Sequence, residues 1–294
     1  MEEKLLIILQ LLGVGGIRAS HFTMYDGKIS GNVDSETGVG GVWADTMIMH
    51  GGEITDNRMM STGVGGVRAN HFTMYDGEIS GNHGATALAA GGVRANTMIM
   101  HGGEIINNSV AGYNGGGVNA NHFTMYDGRI RGNTAGGELG GGVFAEQFIM
   151  HDGEISGNIS GNSVSMIGDG GGVGTNHFIM TGGEIRENNA GRNGGGIHLG
   201  IPGMQAPTSM NITGGTIRNN IASNGGGAYV HHNNQHKPDL TIANEAIFTG
   251  NVALNGLFID NDLAALNPQV APGVISVLNT HAFTNYDINA SNGS

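Results

Sequence analysis

Apolar and polar positions alternate along short stretches of this chain, the period-two signature of strands with one buried face. Across residues 17–30, Ile17, Ala19, Phe22, Met24 and Ile29 fall on one side, and Arg18, Thr23, Tyr25, Lys28 and Ser30 on the other. The phrase then returns. His-Phe-Thr-Met-Tyr-Asp-Gly occupies 21–27, 71–77 and 122–128, while Thr-Met-Ile-Met-His-Gly-Gly-Glu-Ile occupies 46–54 and 97–105, so two related units alternate. The second glycine of each Gly-Gly pair marks the period at Gly16, Gly41, Gly66, Gly92, Gly117, Gly142, Gly172, Gly196 and Gly227, with spacings of 25, 25, 26, 25, 25, 30, 24 and 31.

Each unit reads Gly-Gly-Val-x-Ala, a short link, Phe/Met-x-Met-x-x-Gly-x-Ile-x-x-Asn, then a polar glycine-rich connection. This predicts about three short strands per unit, joined at corners. One unit cannot bury its apolar side, whereas stacked units bury a continuous interior. Reading down the stack gives an isoleucine column at Ile29, Ile54, Ile79, Ile105, Ile130, Ile155, Ile185 and Ile217, continued by Phe248. A second column alternates Phe22, Met47, Phe72 and Met98, and a third is methionine from Met24 to Met180. Thioethers and rings interlock well, so these methionines read as core filling. Asparagine holds one register throughout, at Asn32, Asn57, Asn82, Asn108, Asn133, Asn158, Asn188, Asn220 and Asn251. Such a column is expected to form a structural ladder, amide to amide between coils, on a left-handed turn that asparagine tolerates. The glycines before each valine are expected to permit special backbone angles and close approach.

Composition narrows the class. The chain has 56 glycines in 294 residues, 5 prolines and no cysteine, which excludes collagen, disulfide-stapled modules and helical bundles. A formal charge of −12 disfavours nucleic acid as a partner. The apolar run at Leu5–Ile8 is too short for a membrane span, and Glu2 and Glu3 beside Lys4 make no clear signal peptide. Residues 1–12 are expected to form an N-terminal cap or the remnant of a preceding coil, 13–256 the repeat domain, and 257–294 irregular terminal coils or a C-terminal cap.

Gly226-Gly227-Ala228-Tyr229 and Phe248-Thr249-Gly250-Asn251 match the two signatures, Gly-Gly-Ala-(aliphatic or Tyr) and Phe-x-x-Asn, of the polymorphic outer-membrane protein repeat. Other units carry Val or Ile for Ala and Ile for Phe. Over roughly 14–256 the chain thus resembles bacterial repeat proteins of the pectin-lyase-like type. The resemblance implies an all-β, right-handed parallel β-helix of about nine to ten coils, at ~25 residues per coil. It also implies a surface-exposed or secreted, adhesin-like protein, placed outside the cell or on its surface, whose partners are glycans or a host or neighbouring cell surface. The chain is expected to be a monomeric solenoid or part of a longer one. No membrane-embedded barrel or anchoring motif is expected in these residues, a departure from the resemblance.

No catalytic residues are assigned. The polysaccharide-hydrolase segments Asn-Thr-Asp, Asp-Asp, Gly-His-Gly and Arg-Ile-Lys do not occur, Asp260 and Asp262 are a close aspartate pair weighed as a catalytic dyad and not assigned as one, and repetition itself opposes a singular active site. The alternatives kept open are a polysaccharide lyase or hydrolase on the same fold, and a structural stalk. Outward columns offer Thr23, Thr73 and Thr124 beside Tyr25, Tyr75 and Tyr126, readable as a solvated flat sheet or as a sugar-binding stripe. Histidines in one column recur about 9.6 Å apart, two strand spacings, too far to share a metal. No cofactor is assigned. Bound calcium would relieve repulsion among Glu53, Glu78 and Glu104, but splayed side chains would do so equally. Insertions at Leu199–Ser209 and His231–Pro238 are expected to leave one corner of neighbouring coils, with His198 and Tyr229 facing outward on the launching strands. His231, His232 and His236 have the donor type for zinc or nickel, though a solvated loop explains them as well, and no metal ligands are assigned.

Overall fold

The computed structural model describes residues 14–85, 90–112, 114–137, 139–161, 167–201, 207–232 and 238–254, with two short strands beyond, Ile275–Val277 and Ile288–Asn292. These residues wind into a right-handed parallel β-helix of nine coils. All strand pairs among them are parallel and couple one coil to the next, so Ile29 pairs with Ile54, and Ile54 with Ile79. The main sheet carries eight-residue strands such as Ile17–Met24, Val42–Met49 and Val67–Met74. A second sheet stacks nine three-residue strands from Lys28–Ser30 to Ile247–Thr249, and a third stacks nine two-residue strands from Val33–Asp34 to Val252–Ala253. The two tail strands extend the main sheet against Leu240–Ile242 and Ala228–His232. Residues 1–12, expected to form a cap, lie outside the described residues. Among the described residues no helix is long and apolar enough to cross a membrane.

Strand boundaries differ from the expectation in one instructive way. In the first seven coils Gly-Gly-Val-x-Ala and Phe-x-Met do not form two strands with a link; each pair is one long strand. The register runs through Ile17–Ala19 and His21–Met24 and skips Ser20, as it skips Asp45 one coil on. That irregularity lets Ala19 and Phe22, three apart, both face inward, as a bulge does. Inside, the valine, alanine, Phe/Met, methionine and isoleucine columns form one continuous core. The Gly-Gly pairs serve close approach alone: a Cβ on Gly66 would lie 2.5 Å from the Gly92 carbonyl oxygen, and its φ is ordinary.

The asparagine column is buried from Asn57 to Asn251. Asn108 is typical. Its Nδ2 donates to Asn133 Oδ1 at 3.1 Å and to the Ile79 carbonyl at 2.8 Å, and its backbone N–H donates to the same Oδ1 at 2.9 Å. Its own Oδ1 receives the N–H and Nδ2 of Asn82. The left-handed backbone belongs to the preceding residue and not to the asparagine, correcting the expectation. That position is glycine at Gly31, Gly81, Gly132, Gly157 and Gly250, and is held at positive φ by Asp56, Asn107, Glu187 and Asn219 in the other coils.

A second layer lies outside the main sheet. The segment before each Gly-Gly pair folds back along the outside of the main sheet, as Val39, Val64 and Ala90 and then as bridged Asn114, Leu139, Asp169, Asn193 and Asn224. This outer ridge flanks the side chains that point outward from the first half of each long strand. Trp43 packs against it, and a Cβ on Gly174 would touch Leu139 at 3.4 Å.

Candidate functional site

Two groups of side chains emerge, one repetitive and exposed, one unique and buried. The first is built at the second half of the long strands, where residues two apart leave the same face. Odd coils present His21-Thr23-Tyr25, His71-Thr73-Tyr75 and His122-Thr124-Tyr126; even coils present Thr46-Ile48-His50, Thr97-Ile99-His101 and Gln147-Ile149-His151. The chemistry therefore repeats every second coil. Just past the strand ends, Tyr25, His50, Tyr75, His101, Tyr126 and His151 form one stack, with centroids 4.8 to 5.0 Å apart and planes within 12°. Tyr25 is 73% exposed, Tyr75 and Tyr126 46%. Stacking covers the ring faces, so the ladder shows solvent its edges: phenolic hydroxyls alternating with imidazole nitrogens. Thr73 and Thr124 are half-buried between isoleucines, while Thr23 in the first coil is exposed. The stack ends where His151 Nδ1 meets Thr181 Oγ1 at 3.2 Å.

Beside the ladder runs a polar groove lined by Asp76, Glu104, Asp127, Arg129, Asp152 and Glu154. Each of these aspartates accepts the N–H of the following glycine through one carboxylate oxygen. The glutamate column is relieved by cations. Lys28 pairs with Glu53 at 2.7 Å, Arg129 with Glu104 at 2.8 Å, Arg186 with Glu154 at 2.7 Å, and Arg218 with Glu184. Hydrogen bonding to these carboxylates raises the pKa of Lys28, Arg129 and Arg218. Among the described residues no group of three or more His, Asp or Glu side chains is placed to hold a metal ion.

The second group corrects the expectation for His198 and Tyr229. Both point away from the core, but the outer ridge covers them, leaving 1% and 6% exposed. His198 stacks on Tyr229 with centroids 5.3 Å apart and lies 6.2 Å from the ring of His231. Its Nε2 is 3.6 Å from Asp169 Oδ2, too long for a hydrogen bond, and neither ring nitrogen has a hydrogen-bond partner. Burial pushes its pKa down to about 4 against the opposing pull of Asp169, so the ring is neutral at neutral pH. Asp169 is itself buried and takes the fork of Arg192 at 2.9 and 2.6 Å. The insertions do not leave a corner. They interrupt the long strand, since Ile197–Leu199 pairs with the first half of Val173–Met180 and Ser209–Ile212 with its second half. His231 is half-buried near the end of its strand; the His232 side chain, His236, Asp260 and Asp262 lie outside the described residues.

Sequence reading missed the Asp169–Arg192 pair. Its signal was there: Asp169, Asn193 and Asn224 each stand immediately before a glycine run, in the column that is apolar at Val39, Val64 and Ala90. Comparison of the chain with family models, curated proteins and solved structures finds no match.

Proposed function

We propose that this β-helix is a non-catalytic, adhesin-like binding protein that works outside the cell or at its surface, and that its Tyr/His ladder receives an extended, uncharged polysaccharide. The single observation carrying this is the two-coil period of the ladder. Tyrosine hydroxyls recur at about 9.6 Å, two strand spacings, close to the repeat of a disaccharide in an extended β-1,4-linked chain. A rigid array with that period meets equivalent sugar hydroxyls at successive tyrosines without bending either partner, and preorganisation lowers the cost of binding. Edge-on rings donate and accept hydrogen bonds, and the flanking carboxylates accept from hydroxyls while disfavouring anionic chains. The pectin-lyase-like resemblance adds the expectation of glycan partners.

The test is binding of the full chain to a panel of soluble neutral and acidic glycans, with and without calcium, together with assay for released reducing ends or unsaturated products. Saturable binding to β-1,4-linked neutral chains, weakened about tenfold by Tyr75→Ala with Tyr126→Ala, is expected. Turnover abolished by a single substitution would overturn the reading in favour of a polysaccharide-degrading enzyme. Absence of binding to every glycan would leave a stalk as the better description.

A further inference from the structure

On the first half of the long strands the outward column reads Arg18, Trp43, Arg68 and Arg94, in register across four coils. The Arg18 guanidinium carbon lies 4.4 Å from the Trp43 ring centroid, and that of Arg68 lies 4.7 Å from it. Trp43 is held by the outer ridge at Val39, Val64 and Ala90, so the indole is a fixed plate between two cations. Among the described residues neither Arg18 nor Arg68 forms an ion pair, although acidic residues outnumber basic ones two to one in the chain, 24 against 12. Arg94 follows one coil on, and its pKa is lowered, first by burial and then by the charge of Arg68. Three guanidiniums are thus lined up along the axis, with like charges as neighbours and the nearest two one strand spacing apart.

The acidic column lies away from Arg18 and Arg68. Arg18 and Lys28 bracket the remainder of a long strand and a corner, and six residues of strand alone span about 20 Å, more than twice the Debye length at physiological salt. The carboxylate beside the column, Asp45, accepts from Asn70 at 3.3 Å, so the cations outnumber it there and the patch is positive. A planar carboxylate satisfies one guanidinium fork, whereas a tetrahedral ester anion with three terminal oxygens can accept from two guanidiniums at once. Guanidinium is weakly hydrated and pairs well with such an anion.

We propose that the Arg18–Trp43–Arg68–Arg94 column is an anion site that binds the sulfate esters of a sulfated polysaccharide, lying along the helix axis on the outer-ridge side. It is independent of the Tyr/His ladder.

Trp43 is the only tryptophan in the chain, so its fluorescence reports this site directly. The full chain is titrated with heparin as the sulfated probe, and with polygalacturonate and double-stranded DNA as carboxylated and phosphodiester probes at equal ionic strength. Expected is a saturable change in Trp43 emission with heparin, abolished at about 1 M salt, where screening extends to about 3 Å. Half-saturation is expected to rise about tenfold for each arginine replaced in Arg18→Gln and Arg68→Gln. Circular dichroism of the variants separates this from unfolding, and Arg68→Lys, which keeps charge but not the fork, is expected to bind more weakly than the parent chain. An unchanged emission with heparin overturns the proposal. So does heparin binding that the double variant, still folded, retains at full strength, and so does polygalacturonate or DNA binding as tightly as heparin. Neutral-glycan binding at the ladder is measured in the same variants. Its survival shows that the two sites fail separately.

Discussion

The first six coils and the last three are built on the same ladder of asparagines but treat their outward side chains oppositely. In the first six, repetition leaves the Tyr/His rings in solvent at the edge of the main sheet. In the last three, the outer ridge turns polar at Asp169 and Asn193, insertions split the long strand in the final two, and the ridge closes over His198 and Tyr229. Unique residues are thus not automatically functional ones. Here the singular cluster is sealed and the repeated one is accessible, because a loop inserted in mid-strand leaves the neighbouring ridge in place above it. The asparagine ladder is indifferent to this change. Its rungs stand 25 or 26 residues apart in the regular coils and 30 to 32 across the insertions, yet Asn188 bonds to Asn220 at 3.0 Å as Asn108 does to Asn133 at 3.1 Å.

The largest expected effect tests that indifference. Asn108→Ala and Asn188→Ala each remove several hydrogen bonds from a site without solvent and leave buried N–H and carbonyl groups unpaired, so each should lower stability by about 3–5 kcal/mol. Asn32→Ala, at the half-buried end of the ladder, should cost about 1–2 kcal/mol. Urea midpoints compare the three. A markedly smaller effect at Asn188 would mean that the irregular coils are held by something other than the ladder.

Next comes the sealed histidine. In the unfolded chain His198 takes up a proton as pH falls through about 6.5, but in the folded chain only near pH 4. The unfolded state therefore binds more protons across that window, so stability is lost as pH drops from about 6.5 to about 4, by up to roughly 3 kcal/mol. Asp169, Arg192 and His231 are the charged or titratable groups facing it. His198→Phe keeps the stack on Tyr229 and removes two unpartnered nitrogens, so it should flatten this pH dependence without lowering stability at neutral pH. Urea midpoints for both chains at about pH 7 and about pH 4.5 make the comparison.

Most of the fold was legible because a solenoid writes each contact as a column. Ile29 to Ile217 and Asn32 to Asn251 align as columns in the amino-acid sequence, and they pair as aligned. What escaped was whatever depends on a second layer. Alternation correctly turned His198 away from the core, but it carries no information on what lies outside the sheet, so exposure was inferred where Asp169 and Asn193 provide cover. The two-coil alternation of tyrosine and histidine was visible as text; that the rings stack, and so show edges to solvent, needed the corner geometry.

A middling effect separates packing from backbone conformation. Gly27 and Gly128 occupy equivalent corners at φ of +99° and +109°. A Cβ at Gly27 meets nothing within 4 Å, whereas at Gly128 it would lie 2.6 Å from the Met100 terminal methyl and 2.8 Å from the Gly103 carbonyl. Gly27→Ala should cost about 1–2 kcal/mol from left-handed strain alone. Gly128→Ala should cost roughly 1–2 kcal/mol more through overpacking. Equal losses would show that both Met100 and the Gly103 backbone yield freely.

The smallest effect on stability bears most on function. Tyr75 lies between His50 and His101 at 5.0 and 4.8 Å, half exposed, so Tyr75→Ala removes two ring contacts but little buried area and should cost about 1 kcal/mol or less. Tyr75→Phe retains both contacts and should leave the melting temperature unchanged. If the ladder reads sugars with its edges, Tyr75→Phe must weaken glycan binding nearly as much as Tyr75→Ala, since both lose the same hydroxyl. If instead ring surface carries the binding, Tyr75→Phe will bind as the parent does. Calorimetry on the two variants with one neutral β-1,4-linked glycan distinguishes these outcomes, because stacked rings keep their faces to each other and leave only the hydroxyl to lose.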